Sequence, residues 1–197
     1  MRSFQRSLVP QPNKEKVRGP LAWPGLEVSL EIGCGVGLHP IQWGEKYPQE
    51  HLVAIEHTQE KCEKFLRRLE NHPHLTNITA IHGNAISWVT HEFSENQFKD
   101  IYFFYPNPEP QNSAKRWIRM PFFSEILRVL RDDGQILFAS NEERYISEVQ
   151  DHAVKDWKLS IFERHEIRLA PGIRGRTHFE RKYLGRGQTC YQVTLRK

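Results

Sequence analysis

Two periods alternate along this chain. Short apolar runs rich in β-branched and aromatic residues occur at 27–32, 51–56, 77–83, 100–105, 134–140, 159–164 and 189–195. Between the first five lie stretches in which apolar residues recur at helical spacing, at 38–47, 58–71, 84–93 and 119–131. Strands that alternate with helices predict a parallel sheet with crossover connections rather than a sandwich or a bundle. One more helical stretch, 142–156, precedes the last two runs, and these are expected to pair antiparallel at the sheet edge. The prediction is therefore an α/β fold, a mostly parallel seven-stranded sheet flanked by helices with an antiparallel C-terminal edge.

Two segments fall outside this rhythm. Residues 1–25 hold four prolines and no periodicity, which predicts a flexible basic lead-in to a single folded domain over 26–197. Residues 165–187 carry no run of either period and are expected as a long loop, a candidate substrate element; connections of that length are usually functional or disordered. A chain of 197 residues is long enough for one sizeable core. No apolar run approaches the roughly 20 residues of a membrane span, and the first residues lack the apolar core of a secretory leader. The three cysteines, Cys34, Cys62 and Cys190, are scattered and suggest neither a disulfide framework nor a metal pair, so a reducing, cytoplasmic setting is expected. His72 and His74 read as a solvated loop, and no metal site is predicted.

Charge changes the picture more than composition does. The formal net charge is +4, but Lys and Arg outnumber acids by five to one in residues 1–26 and by nine to three in 163–197. Basic ends around an acidic middle suit a polyanionic partner such as a nucleic acid.

The stretch SLEIGCGVGLHP at 29–40 puts three glycines at alternate positions where the first strand should turn into the first helix. Ligands of open α/β sheets sit at that turn. Gly33, Gly35 and Gly37 depart from the G-x-G-x-x-G dinucleotide pattern, because the third glycine comes one residue early and Glu31 precedes the first. A carboxylate at that mouth repels a pyrophosphate but tolerates a ligand with a cationic centre and an amino group. Glu56 ends the second predicted strand about 20 residues on, where an acidic side chain accepts ribose hydroxyls. Asn84, followed by Ala85, stands after the third strand, where its carbonyl would receive an adenine amine or simply cap a helix.

Together these residues resemble the S-adenosylmethionine site of Rossmann-like class I methyltransferases. With "FFYPNPEP" after the fourth strand and "THFERKYLGRG" near the C-terminus, the chain resembles the bacterial tRNA (guanine-N7)-methyltransferase family over residues 27–197, in order. The resemblance implies S-adenosylmethionine as cofactor, held by Glu31, Gly33, Gly35, Gly37, Glu56, Asn84 and Ala85. It implies tRNA as partner, with neither DNA nor membrane, and methylation of a variable-loop guanine at N7. Asn107 is implied at the reacting base, with Gln111, Lys115, Arg116, Asn141, Thr177, Phe179 and Glu180 on the substrate. Where the family has Asp, this chain has Asn84, Asn107 and Asn141. The change at Asn107 removes one acceptor for the guanine donor edge and presents a donor instead. Tyr105 and Trp117 are candidates to stack on a splayed base. The residues leave open a methyltransferase for another RNA or a small molecule, and a non-catalytic paralogue that binds S-adenosylmethionine or RNA. Monomer and homodimer stay open as well.

Overall fold

The computed structural model describes residues 3–170, 172 and 174–197; Met1, Arg2, Pro171 and Ile173 lie outside the described residues. Among the described residues, eight strands form one sheet in the order β1-β4-β3-β2-β5-β6-β8-β7. The parallel centre consists of β2 (Val28–Ile32), β3 (His51–Glu56), β4 (Ile78–His82), β5 (Phe98–Phe104) and β6 (Leu130–Ser140). β8 (Cys190–Arg196) runs antiparallel to β6, and β7 (Ser160–Ile167) antiparallel to β8. All seven predicted strands form, and the eighth, β1 (Val17–Arg18), adds a short antiparallel edge on β4.

β2 and β3 are buried at every position, as a parallel strand with both faces covered must be. Alternation sends Leu30, Val53, Ile55, Ile101 and Phe103 into one core layer. That layer also holds residues of α3 (Ala85–His91), α4 (Phe123–Val129) and α5 (Glu143–Lys155). Leu52, Ala54, Tyr102 and Phe104 face the other side, with α1 (Leu38–Lys46), α2 (Gln59–Glu70) and α6 (His178–Leu184). The chain leaves β2 toward β3 on one side and returns as β5 on the other, so the carboxyl ends of β2, β3 and β5 border a crevice at a topological switch point.

Two segments hold contacts or elements beyond those expected from their sequence pattern. The lead-in lies along the domain over its described residues. Phe4 meets the Phe122 ring edge-on at 5.6 Å, Arg6 Nη2 donates to the Thr90 carbonyl at 2.6 Å, and Lys14 pairs with Glu92 at 2.6 Å. Trp23 is buried over His51, whose ring packs at 5.5 Å. These are single side-chain anchors without periodicity, so the sequence pattern could not announce them. The His51 ring bonds through Nε2 to Thr79 Oγ1, which itself donates to the Pro20 carbonyl. Burial lowers the His51 pKa to about 4 and keeps the imidazole neutral.

The expected loop at 165–187 is shorter than predicted, because β7 runs to Ile167 and α6 occupies 178–184. Thr177 caps α6, its side chain accepting from Glu180 N at 3.0 Å. T-x-x-E is a helix-start signature in its own right. With Phe179 and Tyr183 at i and i+4, the helix was legible in the sequence.

Candidate active site

The switch-point crevice opens into a cleft of about 330 Å³. Its floor is the turn from β2 into α1. Gly33 and Gly35 take positive φ, at 81° and 61°, and a Cβ on either would meet nothing within 4 Å. Both positions therefore keep their backbone open to a ligand. Gly33 N and Cys34 N donate to the Ile55 carbonyl at 2.8 and 3.1 Å, which ties the turn to β3. Gly37 differs: it caps α1 at φ 76°, and a Cβ there would lie 1.8 Å from the Phe65 ring. It serves the packing of α2 against the turn and does not line the cleft.

Glu56, almost wholly buried, closes the end of β3. One oxygen accepts from Gly35 N at 2.8 Å and the other from Thr58 N at 2.7 Å. Glu31 lies at the cleft wall and accepts from His39 Nδ1 at 2.8 Å. His39 stacks edge-on against Phe104 at 4.8 Å. Nothing in the sequence singled out this histidine, since a lone His on a helix carries no pattern. Cys34 also lines the cleft, but burial, then the charges of Glu31 and Glu56, push its thiol well above the ordinary range, so it remains protonated.

The opposite wall follows β5. Tyr105 adopts a left-handed φ of 53° and Glu109 one of 47°, so the chain turns sharply on both sides of Asn107. Such conformations cost a non-glycine residue about 1–3 kcal/mol and persist where the surroundings fix them. Here the fixing is explicit. The buried Tyr105 hydroxyl donates to Glu180 Oε2 at 2.8 Å, and Arg176 donates to the same carboxylate from its backbone N, at 2.9 Å, and from its guanidinium, at 2.7 Å for Nη2. Burial alone would raise the Glu180 pKa, but the Arg176 hydrogen bonds and charge outweigh it and hold the carboxyl below its usual range. Burial and the facing Glu180 charge raise the Tyr105 phenol. Farther along, Arg116 Nε donates to the Pro108 carbonyl at 2.6 Å and the same guanidinium pairs with Glu148 of α5.

Of the residues implied for the site, the cleft brings together Glu31, Gly33, Gly35, Glu56, Asn107, Lys115, Thr177 and Phe179. Others take different work. Asn84 Oδ1 accepts from Ile86 N at 2.9 Å and caps α3, the alternative its residue type had offered, and Ala85 is buried in the core. Gln111 is exposed and Asn141 half-buried, both outside the cleft lining, and Asn141 reaches Glu142 Oε1 at 3.4 Å. Arg116 faces α5, and Glu180 is buried in its ion pair. Trp117 borders the cleft while packing on Phe103 at 5.5 Å. Lys61, His178 and Glu109 line it too, and the sequence had not assigned them to the site.

A mostly parallel sheet with a glycine turn after its first parallel strand, a carboxylate ending the next and an antiparallel C-terminal edge defines the class: a Rossmann-like class I methyltransferase fold. A family model described as "Putative methyltransferase" matches residues 26–193, and the chain belongs to that family. The chain is similar to a Thermotoga maritima protein named tRNA (guanine-N(7)-)-methyltransferase, 24% identical over 91% of this chain and 58% of that one. It is likewise similar to an Aedes aegypti protein of the same name, 28% identical over 68% of this chain and 54% of the relative. The chain thus spans little more than half the length of these curated relatives. Among solved structures, a 30S ribosomal A1408 methyltransferase from an uncultured bacterium superposes with a TM-score of 0.65 at 17% identity, covering 87% of each chain, a likeness of fold. No helix among the described residues is long and apolar enough to cross a membrane.

Proposed function

We propose that this protein transfers a methyl group from S-adenosylmethionine to N7 of a guanine in tRNA. One observation carries the reading: the open glycine turn and the proline-rich β5 loop face each other across a single cleft, with α6 at its rim. The name shared by the relatives supports the substrate.

The chain's own residues fit the cofactor. Gly33 and Gly35 leave a cradle that any Cβ would narrow. Glu56, at the end of β3, offers its remaining lone pairs to ribose hydroxyls. Glu31 places negative charge at the cleft wall, which favours a cationic ligand. When bound, S-adenosylmethionine supplies an electrophilic methyl on a sulfonium. Guanine N7 is an unprotonated lone pair, so the protein needs no general base and contributes orientation. The protonated Cys34 thiol and the raised Tyr105 phenol are consistent with a site that moves no proton. Gly33, Gly35 and Glu56 would hold S-adenosylmethionine while its methyl passes to the N7 lone pair, and the S–C bonding pair would remain on sulfur as a neutral thioether.

Lys61 and Lys115 at the cleft, with exposed Lys182 and Arg186 on and after α6, supply cations for the RNA backbone. A tRNA substrate is consistent with the expected cytoplasmic setting. The test is incubation of the purified protein with methyl-labelled S-adenosylmethionine and tRNA that lacks 7-methylguanosine. Label is expected in the tRNA and absent from tRNA incubated without protein. Calorimetric binding of S-adenosylmethionine without any label transfer would refute the assigned activity.

A further inference from the structure

We infer that Glu109, not Asn107, reads the donor edge of the target guanine, and that Asn107 positions it. The inference rests on the proposed function.

Three carboxylates line the cleft among the described residues: Glu31, Glu56 and Glu109. The first accepts from His39, and both oxygens of the second accept from backbone N–H groups. Glu109 is engaged at one oxygen only, where Oε1 accepts from Asn107 Nδ2 at 3.0 Å. Its Oε2 accepts no hydrogen bond among the described residues and remains for a ligand. Guanine presents N1–H and the N2 amine as adjacent donors, and a carboxylate is the side chain that accepts from both. Asn107 is the poorer partner for two adjacent donors, because it has a single acceptor atom, Oδ1, which already accepts from Glu109 N at 3.2 Å, while its amide donates to the carboxylate. The acceptor that the sequence lacks at 107 is thus restored two residues later. The left-handed backbone at Glu109, the flanking Pro108 and Pro110, and the Arg116 bond to the Pro108 carbonyl hold it in place.

A carboxylate at this edge also serves the reaction. Methylation at N7 leaves the purine cationic, so the attraction to Glu109 grows as the new bond forms, and only an interaction that strengthens toward the transition state raises the rate. A neutral amide gains far less from that charge.

The test compares kcat/KM on tRNA transcripts carrying guanosine or inosine at the position the wild-type protein methylates; inosine keeps N1–H and lacks the N2 amine. Wild type should prefer guanosine by about 10-fold or more. Glu109→Gln should lose about 10- to 100-fold on guanosine, together with most of that preference. Adding Asn107→Asp to this variant should recover part of both, and S-adenosylmethionine affinity should stay within about twofold throughout, since no cofactor-facing group changes. A Glu109→Gln protein with wild-type kcat/KM and preference overturns the inference while leaving the proposed function standing. So does a preference that survives Glu109→Gln and disappears in Asn107→Ala. A wild-type protein that places no methyl on guanine N7 removes the function and this inference together.

Discussion

At the glycine end of the cleft the shape is set by backbone. Gly33 and Gly35 turn with open space above them, and the turn is tied to the neighbouring strand by main-chain hydrogen bonds from Gly33 and Cys34 to Ile55. At the β5 end the shape is set by side chains holding other side chains: Tyr105 on Glu180, Glu180 on Arg176, Asn107 on Glu109, Arg116 on Glu148. A main-chain cradle suits a ligand shared by many proteins. A side-chain wall can be rewritten residue by residue, and here Asn107 and Glu109 hold each other through two hydrogen bonds that leave the cradle untouched.

The largest expected effect breaks the side-chain wall. Glu180→Gln leaves the half-buried Arg176 guanidinium without its partner charge and should cost about 3–4 kcal/mol, toward the low end for a buried pair, read as a fall in the urea unfolding midpoint. Because the folded Glu180 pKa is depressed, its stabilisation is present above the unfolded carboxylate pKa and is lost as pH falls through the folded value. The variant should lack that acid-limb loss.

The cradle yields the next contrast. Gly37→Ala meets both a positive φ and the Phe65 ring and should cost about 3 kcal/mol of stability. Gly35→Ala meets only the φ and should cost about 1–2 kcal/mol, with its main effect on calorimetric S-adenosylmethionine affinity. Equal losses of stability in the two variants would contradict the separate jobs assigned to these glycines.

His51 opens the strand that Glu56 ends, and its folded pKa of about 4 lies below the ordinary 6.5. The unfolded chain therefore binds the extra proton first, and stability should fall as pH drops from about 6.5 to about 4, by up to ~3 kcal/mol, with no contribution above that window. His51→Phe should flatten this slope while sparing the cleft. The smallest effect belongs to the rim: Lys115→Ala should weaken tRNA binding modestly and reduce the slope of log K against log salt by about one.

The same contrast explains what could be read in the sequence. The cradle is local: an apolar strand, a glycine turn and a second strand ending in Glu56 lie within 29 consecutive residues, and strands buried on both faces announce themselves as continuous apolar runs. The opposite wall joins Tyr105 to Glu180 across 75 positions, and no periodicity reports such a pair. Thr177 and Glu180 were conspicuous as residue types, yet their observed work is to cap α6 and to anchor Tyr105. Asn84 shows the same competition on a smaller scale, since an Asn at a helix start satisfies a backbone N–H before it meets any ligand. The anchored lead-in escaped for another reason: Phe4, Arg6 and Trp23 act singly, in a segment whose prolines suppress any repeating pattern.

The most direct test of the account is the position of the methyl group. Mass spectrometry of nucleosides from tRNA incubated with the protein and S-adenosylmethionine should show 7-methylguanosine as the new species. A methyl group on an exocyclic amine, on a ribose or on a base other than guanine would contradict it.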